Sequence, residues 1–440
     1  MCGFVAAFNT DFNLKDVVED ISYRGLPGFK GYTRRDHIMV PDGFQFAHYS
    51  LPFVNLDPDK AIQPRKTAEG YPGLFVGEIF NYEELGFEDD IQAAISTFRD
   101  RGPLGFNRFD GFWTFVTVFR GNLIGLTDHL GIKPLYYRTD VEVLASEPDV
   151  LKQFAPVTRN ELFHSNTMKW GYDPTGGTPW NEIKQVPPGH YYYDGKCHPY
   201  WDWSVVETSD IRADLIESVR LRLGGQRDVS ILLSGGLDST IIHNIITQEL
   251  GREVTAIHVD NGEQDFAHLV NPNAIQVSLD SVTDEDSVRI HQSPVDLGST
   301  KPQIAMARKL KELGFHAVLT GDGADELFGG YRRAKEYDSQ YSDVFCELPY
   351  YHLPKLDRTM MYSTIELRAP FLSPKVVRHA LRAPYGQRNG EKKVLKEAFA
   401  DLVPQPILDR DKHPLKTDTI RKDPMVQRQI NEDIWRKLYG

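Results

Sequence analysis

Two kinds of apolar patterning divide the chain. Through the first two hundred residues the hydrophobic positions fall in short runs broken by glycine and proline: GLFVGEIF (73–80), FWTFVTVF (112–119), NLIGLTD (122–128) and PLYYR (134–138). Runs of this length, rich in aromatic and branched side chains, predict strands. Within them DIQAAISTFRDR (90–101) takes the helical period. The expectation is an α+β domain of antiparallel sheets sandwiched by helices. After Pro199-Tyr200-Trp201-Asp202 the pattern changes. Residues 210–223 read as a helix, and VSILL (229–233) is a continuous apolar run of the kind a buried parallel strand needs. A helix follows with Ile241, Ile242, Ile245, Ile246 and Leu250 on one face. VTAIHV (254–259) and AVLTG (317–321) read as two more buried strands, the second preceded by a helical stretch at 303–313, and the tail beyond 373 reads as helical and polar. Strands alternating with helices predict an α/β parallel sheet. The expected domains are residues 1–203 and 204–440.

The turns of the second half carry the chemistry. LLSGGLDST (232–240) joins a buried strand to a helix. Gly235 and Gly236 let backbone N–H groups approach an anion, the helix N-terminus adds positive potential, and Ser234 and Ser239 add hydroxyl donors. Asp238 would repel phosphate there unless it holds Mg²⁺. The loop lacks the G-K-[ST] ending of a Walker A sequence. In GDGADELFGGY (321–331), Asp322, Asp325 and Glu326 crowd a second glycine-rich turn after a strand. Loops at the carboxyl ends of parallel strands converge on the crevice where such sheets bind ligands, so Asp238 and Asp325 can share the magnesium of Mg-ATP.

Bulk properties narrow the field. The formal net charge of −12 over 440 residues argues against nucleic-acid and anionic-membrane partners. No apolar run approaches the roughly 20 residues that span a bilayer, and MCGFVAAFNTDFN lacks the layout of a signal peptide. Three cysteines, Cys2, Cys197 and Cys346, are too few and too odd for a disulfide framework, which predicts a reducing, cytoplasmic compartment. Cys197-His198 has no second pair at zinc spacing and is expected to be a packing or surface pair.

Residues 232–240, 321–331 and ELRAPF (366–371), together with MCGF, VGEIFN (76–81), TDHLGIKPLYY (127–137), LASE (144–147) and VPPG (186–189), resemble asparagine synthetases of the glutamine-hydrolysing type over nearly the whole chain. The resemblance implies an N-terminal-nucleophile glutaminase domain, an ATP-pyrophosphatase synthetase domain, an internal ammonia tunnel and a homodimer. Its small-molecule partners would be ATP, aspartate, and glutamine or ammonia. It places the ATP site on Leu232, Ser234, Gly235, Gly236, Asp238, Ser239, Val259 and Gly321, and magnesium on Asp238 and Asp325. It places the acceptor-binding acid on Asp322 and the adenylation lysine on Lys412. The synthetase half is shorter than the family's, mostly between 260 and 293. Relatives of the same fold amidate other acceptors or close rings, as β-lactam synthetases do, so another carboxylate acceptor is the alternative, and a non-catalytic nucleotide-binding relative the least favoured.

In the glutaminase half, Cys2 becomes the first residue once Met1 is removed, and its own α-amino group can serve as base. The resemblance puts glutamine on Gly77, Glu78 and Asp90. Two positions depart from the family: Val76 stands where an oxyanion-hole asparagine is usual, and Ser50 where an arginine grips the glutamine carboxylate. Arg24 in YRGLPG also sits in an altered motif, and Arg34 or Arg35 could compensate for Ser50. The expected consequence is slow or altered glutamine use.

Overall fold

The computed structural model describes residues 2–8, 13–26, 30–33, 43–54, 56–66, 72–225, 227–259, 266–279, 282–295, 299–388, 391–410 and 423–439. The chain divides into two compact units: Met1–Ser204 with Gln292–Pro294 and Met361–Thr364, and Val205–His291 with Val295–Met360 and Ile365–Gly440.

The first unit holds two six-stranded sheets. Its strands are β1 (Gly3–Phe8), β2 (Lys30–Thr33), β3 (Phe44–Tyr49), β4 (Arg65–Lys66), β5 (Pro72–Ile79), β6 (Gly111–Phe119), β7 (Asn122–Thr127), β8 (Tyr136–Arg138), β9 (Val143–Ala145), β10 (Ile183–Gln185), β11 (His190–Tyr193) and β12 (Lys196–Pro199). One sheet runs β10-β8-β9-β1-β3-β2, the other β12-β11-β7-β6-β5-β4, and neighbours pair antiparallel. Phe4, Ala6 and Phe46 of the first sheet share one apolar cluster with Leu74, Val76 and Val116 of the second, so the sheets face each other across a common core. Two helices bear on function: α1 (Pro58–Ala61) and α2 (Asp90–Arg101). Ala93, Ala94 and Phe98 of α2 bury against Phe75, Trp113 and Phe115 on the outer face of the second sheet. Asp89 caps α2 by accepting the Gln92 N–H at 2.7 Å. Cys197 lies against the inter-sheet core and His198 stacks on Tyr191, ring centroids 5.1 Å apart.

Two of the family-like motifs of this unit brace its backbone. In TDHLGIKP the buried Asp128 carboxylate accepts N–H bonds from Trp113, Leu130, Ile132 and Lys133 at 2.9–3.1 Å. In LASE, Ser146 Oγ accepts the Phe4 N–H at 3.1 Å and pins β1.

Fully buried His48 in β3 sets a pH response. Burial pushes its imidazole from 6.5 down to about 3, so between those values the unfolded chain binds a proton that the folded one refuses. The penalty is absent above pH 6.5 and grows as pH falls, by about 1.4 kcal/mol per unit. Denaturant titrations of wild type and His48→Gln at pH 5 and 6.5 are expected to show the smaller loss in the variant.

The second unit contains a five-stranded parallel sheet, β15-β14-β13-β16-β17. Its strands are β13 (Val229–Leu232), β14 (Ala256–Val259), β15 (Ile275–Val277), β16 (Ala317–Leu319) and β17 (Glu366–Arg368). The helices relevant here are α3 (Ile211–Arg222), α4 (Leu237–Asn244), α5 (Thr300–Glu312), α6 (Ala324–Phe328), α7 (Lys393–Ala398) and α8 (Pro424–Tyr439). Successive strands run outward from β13 through β14 and β15, then the chain returns to β16 on β13's other side. The loops after β13 and β16 therefore leave the sheet at its topological switch point. Strand β17 was not legible as a strand, because Glu366 and Arg368 are charged. Both are buried, paired at 3.1 Å, and Arg368 also donates to the carbonyls of Arg222 and Gly224. No helix among the described residues is long and apolar enough to cross a membrane.

Candidate active site

Leu232 and Val259 end β13 and β14, and Gly321 lies two residues beyond β16, so the predicted nucleotide residues line one edge of the sheet. In the loop after β13, Gly235 has φ +67°, and a Cβ there would sit 2.4 Å from the Phe266 carbonyl carbon. Ser234 Oγ lies 3.1 Å from Ser239 Oγ and accepts the Gly236 N–H at 3.3 Å. Arg410 braces the loop by donating to the Gly235 carbonyl at 3.3 Å while lying over the Phe266 ring. Gly236 is the N-cap of α4, which points its N-terminus into this turn.

The two acidic loops meet. A Cβ on Gly321 would stand 2.8 Å from Asp238 Cβ. Buried Lys392, at the N-cap of α7, puts its ammonium between the two carboxylates, contacting Asp238 Oδ2 and lying 2.6 Å from Asp325 Oδ1. Burial works against that charge, but the two carboxylates outweigh it and hold the ammonium above the ordinary lysine range. Gly330 leaves room for this contact, since a Cβ there would lie 1.9 Å from Asp325 Oδ1 and 2.3 Å from Lys392 Cε. The predicted lysine, Lys412, lies outside the described residues, and the cation that the structure brings to Asp238 and Asp325 is Lys392.

Asp322 accepts from Thr320 Oγ1. Beyond it lies a partly buried ionic group around Glu326 whose other members the sequence did not reveal. Tyr331 donates to Glu326, His352 Nε2 lies 3.5 Å from Glu326 and 3.6 Å from Glu347, and Arg333 binds Glu347 at 2.6 Å and Asp343 at 2.8 Å. Burial, then the charges of Glu326 and Asp325, push the Tyr331 phenol well above its ordinary range. Lys355 donates to Ser299 Oγ at 2.8 Å; burial lowers its pKa, against the pull of Asp322 and Glu326. No group of three or more His, Cys, Asp or Glu that could hold a metal occurs among the described residues. Asp238 and Asp325 offer hard carboxylate oxygens to one point, which suits Mg²⁺ when phosphate oxygens and water complete its shell.

In the first unit, Cys2 is buried at the start of β1 and its Sγ accepts the Leu51 N–H at 3.4 Å. Buried Arg24 donates to the Cys2 carbonyl at 3.2 Å and pairs with Glu147, the last residue of LASE, so the altered motif still holds the residue in place. Gly77 of β5 has φ +124°, and a Cβ would lie 2.0 Å from the Phe112 carbonyl oxygen, so only glycine fits. Buried Glu78 follows it, and buried Asp90 opens α2. Val76 points into the inter-sheet core that also contains Cys2, which accounts for an apolar residue there. Ser50 Oγ is engaged with the Ala61 carbonyl at 2.9 Å and with His48 Nδ1 at 3.0 Å. Arg34 and Arg35 lie outside the described residues.

Comparison with known proteins adds an independent line. The family described as asparagine synthase matches residues 210–345 and 335–433, and the glutamine amidotransferase domain family matches residues 1–201. Asparagine synthetase B [glutamine-hydrolyzing] of Escherichia coli (strain K12) is 27% identical over 442 residues, covering 85% of this chain and 74% of that protein. Asparagine synthetase [glutamine-hydrolyzing] 1 of Bacillus subtilis (strain 168) is 26% identical over 392 residues, covering 76% of this chain and 60% of that protein. The protein of the same description from Saccharomyces cerevisiae (strain ATCC 204508 / S288c) is 22% identical over 511 residues, covering 94% and 84%.

Proposed function

The chain belongs to the asparagine synthase family, and from that premise we propose that it makes asparagine from aspartate through an acyl-adenylate, using ammonia from glutamine hydrolysed at Cys2 or from free ammonium. It is an amide-forming ligase of the glutamine-hydrolysing type with ATP as substrate. The observation that most supports the detailed reading is the meeting of Asp238, Asp325 and Lys392 at the carboxyl ends of β13 and β16.

The residues divide the work as follows. Backbone N–H groups of the Gly235–Gly236 turn, the hydroxyls of Ser234 and Ser239, and the N-terminus of α4 bind the polyphosphate. Asp238 and Asp325 would hold Mg²⁺, which when bound neutralises charge on the phosphates. Lys392 keeps a permanent positive charge where negative charge grows as the acceptor carboxylate attacks the α-phosphate and pyrophosphate leaves. Asp322, fixed by Thr320, orients the acceptor's ammonium group. In the first unit the α-amino group of Cys2, exposed by removal of Met1, takes the thiol proton. The thiolate forms a thioester with glutamine and ammonia leaves.

Purified protein incubated with Mg-ATP, aspartate and either ammonium or glutamine is expected to yield asparagine and AMP in equal amounts. Pyrophosphate release that requires a different carboxylate would overturn aspartate as acceptor. ATP consumption giving ADP would overturn the adenylate.

A further inference from the structure

Glutamine presents a carboxylate and an ammonium on one carbon, so a site that selects it needs a cation and an anion side by side. Ser50 supplies no charge, and its hydroxyl is engaged with Ala61 and His48. A cation tied into the same network is Arg65, the first residue of β4. Its Nη1 donates to both oxygens of Asp89, at 3.0 and 2.8 Å, and its Nη2 donates to the Lys60 carbonyl. A guanidinium carries five N–H donors. The Nε–H and one Nη2–H of Arg65 have no partner among the described residues, and its side chain remains 22% exposed.

Three connections bind Arg65 to the predicted glutaminase residues. The Lys60 carbonyl that it engages precedes the Ala61 carbonyl that holds Ser50, and the next residue, Leu51, donates to Cys2 Sγ. Two residues before Arg65, Gln63 clamps the main chain of Phe75 through both amide atoms, at 2.8 and 2.6 Å, in the strand that continues to Gly77 and Glu78. Asp89, its carboxylate partner, precedes Asp90 at the N-terminus of α2. One guanidinium is thereby fixed on Asp89, the residue before Asp90, with donors to spare.

We propose that Arg65 binds the α-carboxylate of glutamine, with Asp90 taking the α-ammonium, so that Arg65 and Asp90 together select the free amino acid. This rests on the reading of Cys2 as the glutamine-hydrolysing nucleophile. It assigns the carboxylate contact to a residue of β4, outside the resemblance-derived set of Gly77, Glu78 and Asp90, whereas Ser50 follows β3.

The test compares L-glutamine with its α-methyl ester, which keeps the ammonium and the side-chain amide but loses the carboxylate charge. In Arg65→Gln, KM for glutamine is expected to rise about 10- to 100-fold, as loss of a charge-assisted bidentate contact does. kcat should hold within a few-fold, and kcat/KM for the ester should be unchanged, so the preference for acid over ester collapses. Arg65→Lys, which keeps a point charge without the fork, should recover part of that preference. A purely structural role, through Asp89 and the cap of α2, would depress both substrates together, and that result overturns the proposal. An unchanged glutamine KM in Arg65→Gln also overturns it. Calorimetric titration of glutamine into Cys2→Ala and Cys2→Ala/Arg65→Gln separates the two readings. Tight binding to the first and weak binding to the second, with no glutamate released by wild type, would sink the hydrolysis reading and sustain Arg65.

Discussion

Changing Lys392 to methionine is expected to cost more than any other single substitution in the second unit. The side chain is buried between Asp238 and Asp325, and its removal leaves two carboxylates facing one another without a cation. Breaking a buried ion pair from one side typically costs about 3–5 kcal/mol. Without ligand, the unfolding transition of the second unit should fall accordingly. The same change should slow AMP formation by about 10³-fold, because a fixed charge at the developing phosphate negative charge is lost. Divalent metal gives the sign of the effect. Two unneutralised carboxylates bind Mg²⁺ better than two that share a lysine, so added Mg²⁺ should raise the Tm of Lys392→Met more than that of wild type. Equal Mg²⁺ shifts in the two proteins would mean that the carboxylates do not share an ion.

Cys2→Ala should separate the two halves of the reaction. Removing a nucleophile from a concerted catalytic group commonly costs about 10⁶-fold in rate, so glutamine-dependent asparagine formation should disappear while ammonium-dependent formation continues at the wild-type rate. Arg24 holds the residue through its backbone carbonyl, which the substitution leaves intact, so the first unit should fold normally. Intact mass must show Met1 removed in the wild type for the comparison to hold, since the base is the amine that its removal exposes. Loss of both activities in Cys2→Ala would refute the division of labour.

Much of this architecture could be read from the chain, and the reasons are local. VSILL, VTAIHV and AVLTG are continuous apolar runs because both faces of their sheet are covered, and the turns after the first and third contain the glycines and acids that a phosphate site needs. DIQAAISTFRDR was legible by its helical period, with one apolar face and an acidic cap. Lys392 was not. It follows Asp238 by 154 residues, and in EKKVLK it looks like one of several solvated lysines until the fold buries it. Arg65 stands in a two-residue strand after Gln63-Pro64, with no periodicity to mark it. Glu326 was visible only as one acid of the GDGADELFGGY turn, and its link to Tyr331 and His352 was not, because that link lies in their proximity and not in their spacing. Val76 was visible as a departure from a motif, but why valine belongs there required the inter-sheet core.

The strand order also sets a timetable for synthesis. β13, which opens into the nucleotide loop, lies beside β16, and Ser230 donates to the carbonyl of Ala317, 87 residues later. At a translation rate of roughly 5–20 residues per second, β13 leaves the ribosome about 4–17 s before that neighbour does. During that interval one edge of a short apolar strand stands open, a state that invites chaperone binding and intermolecular strand pairing. The wait ends last at the active centre, because the cation that reconciles Asp238 with Asp325 is not made until residue 392. A nascent chain halted after β17 can complete the sheet, yet its two phosphate-side carboxylates still repel each other. Nucleotide-dependent protection from proteolysis should therefore begin abruptly, in arrested chains long enough to expose Lys392.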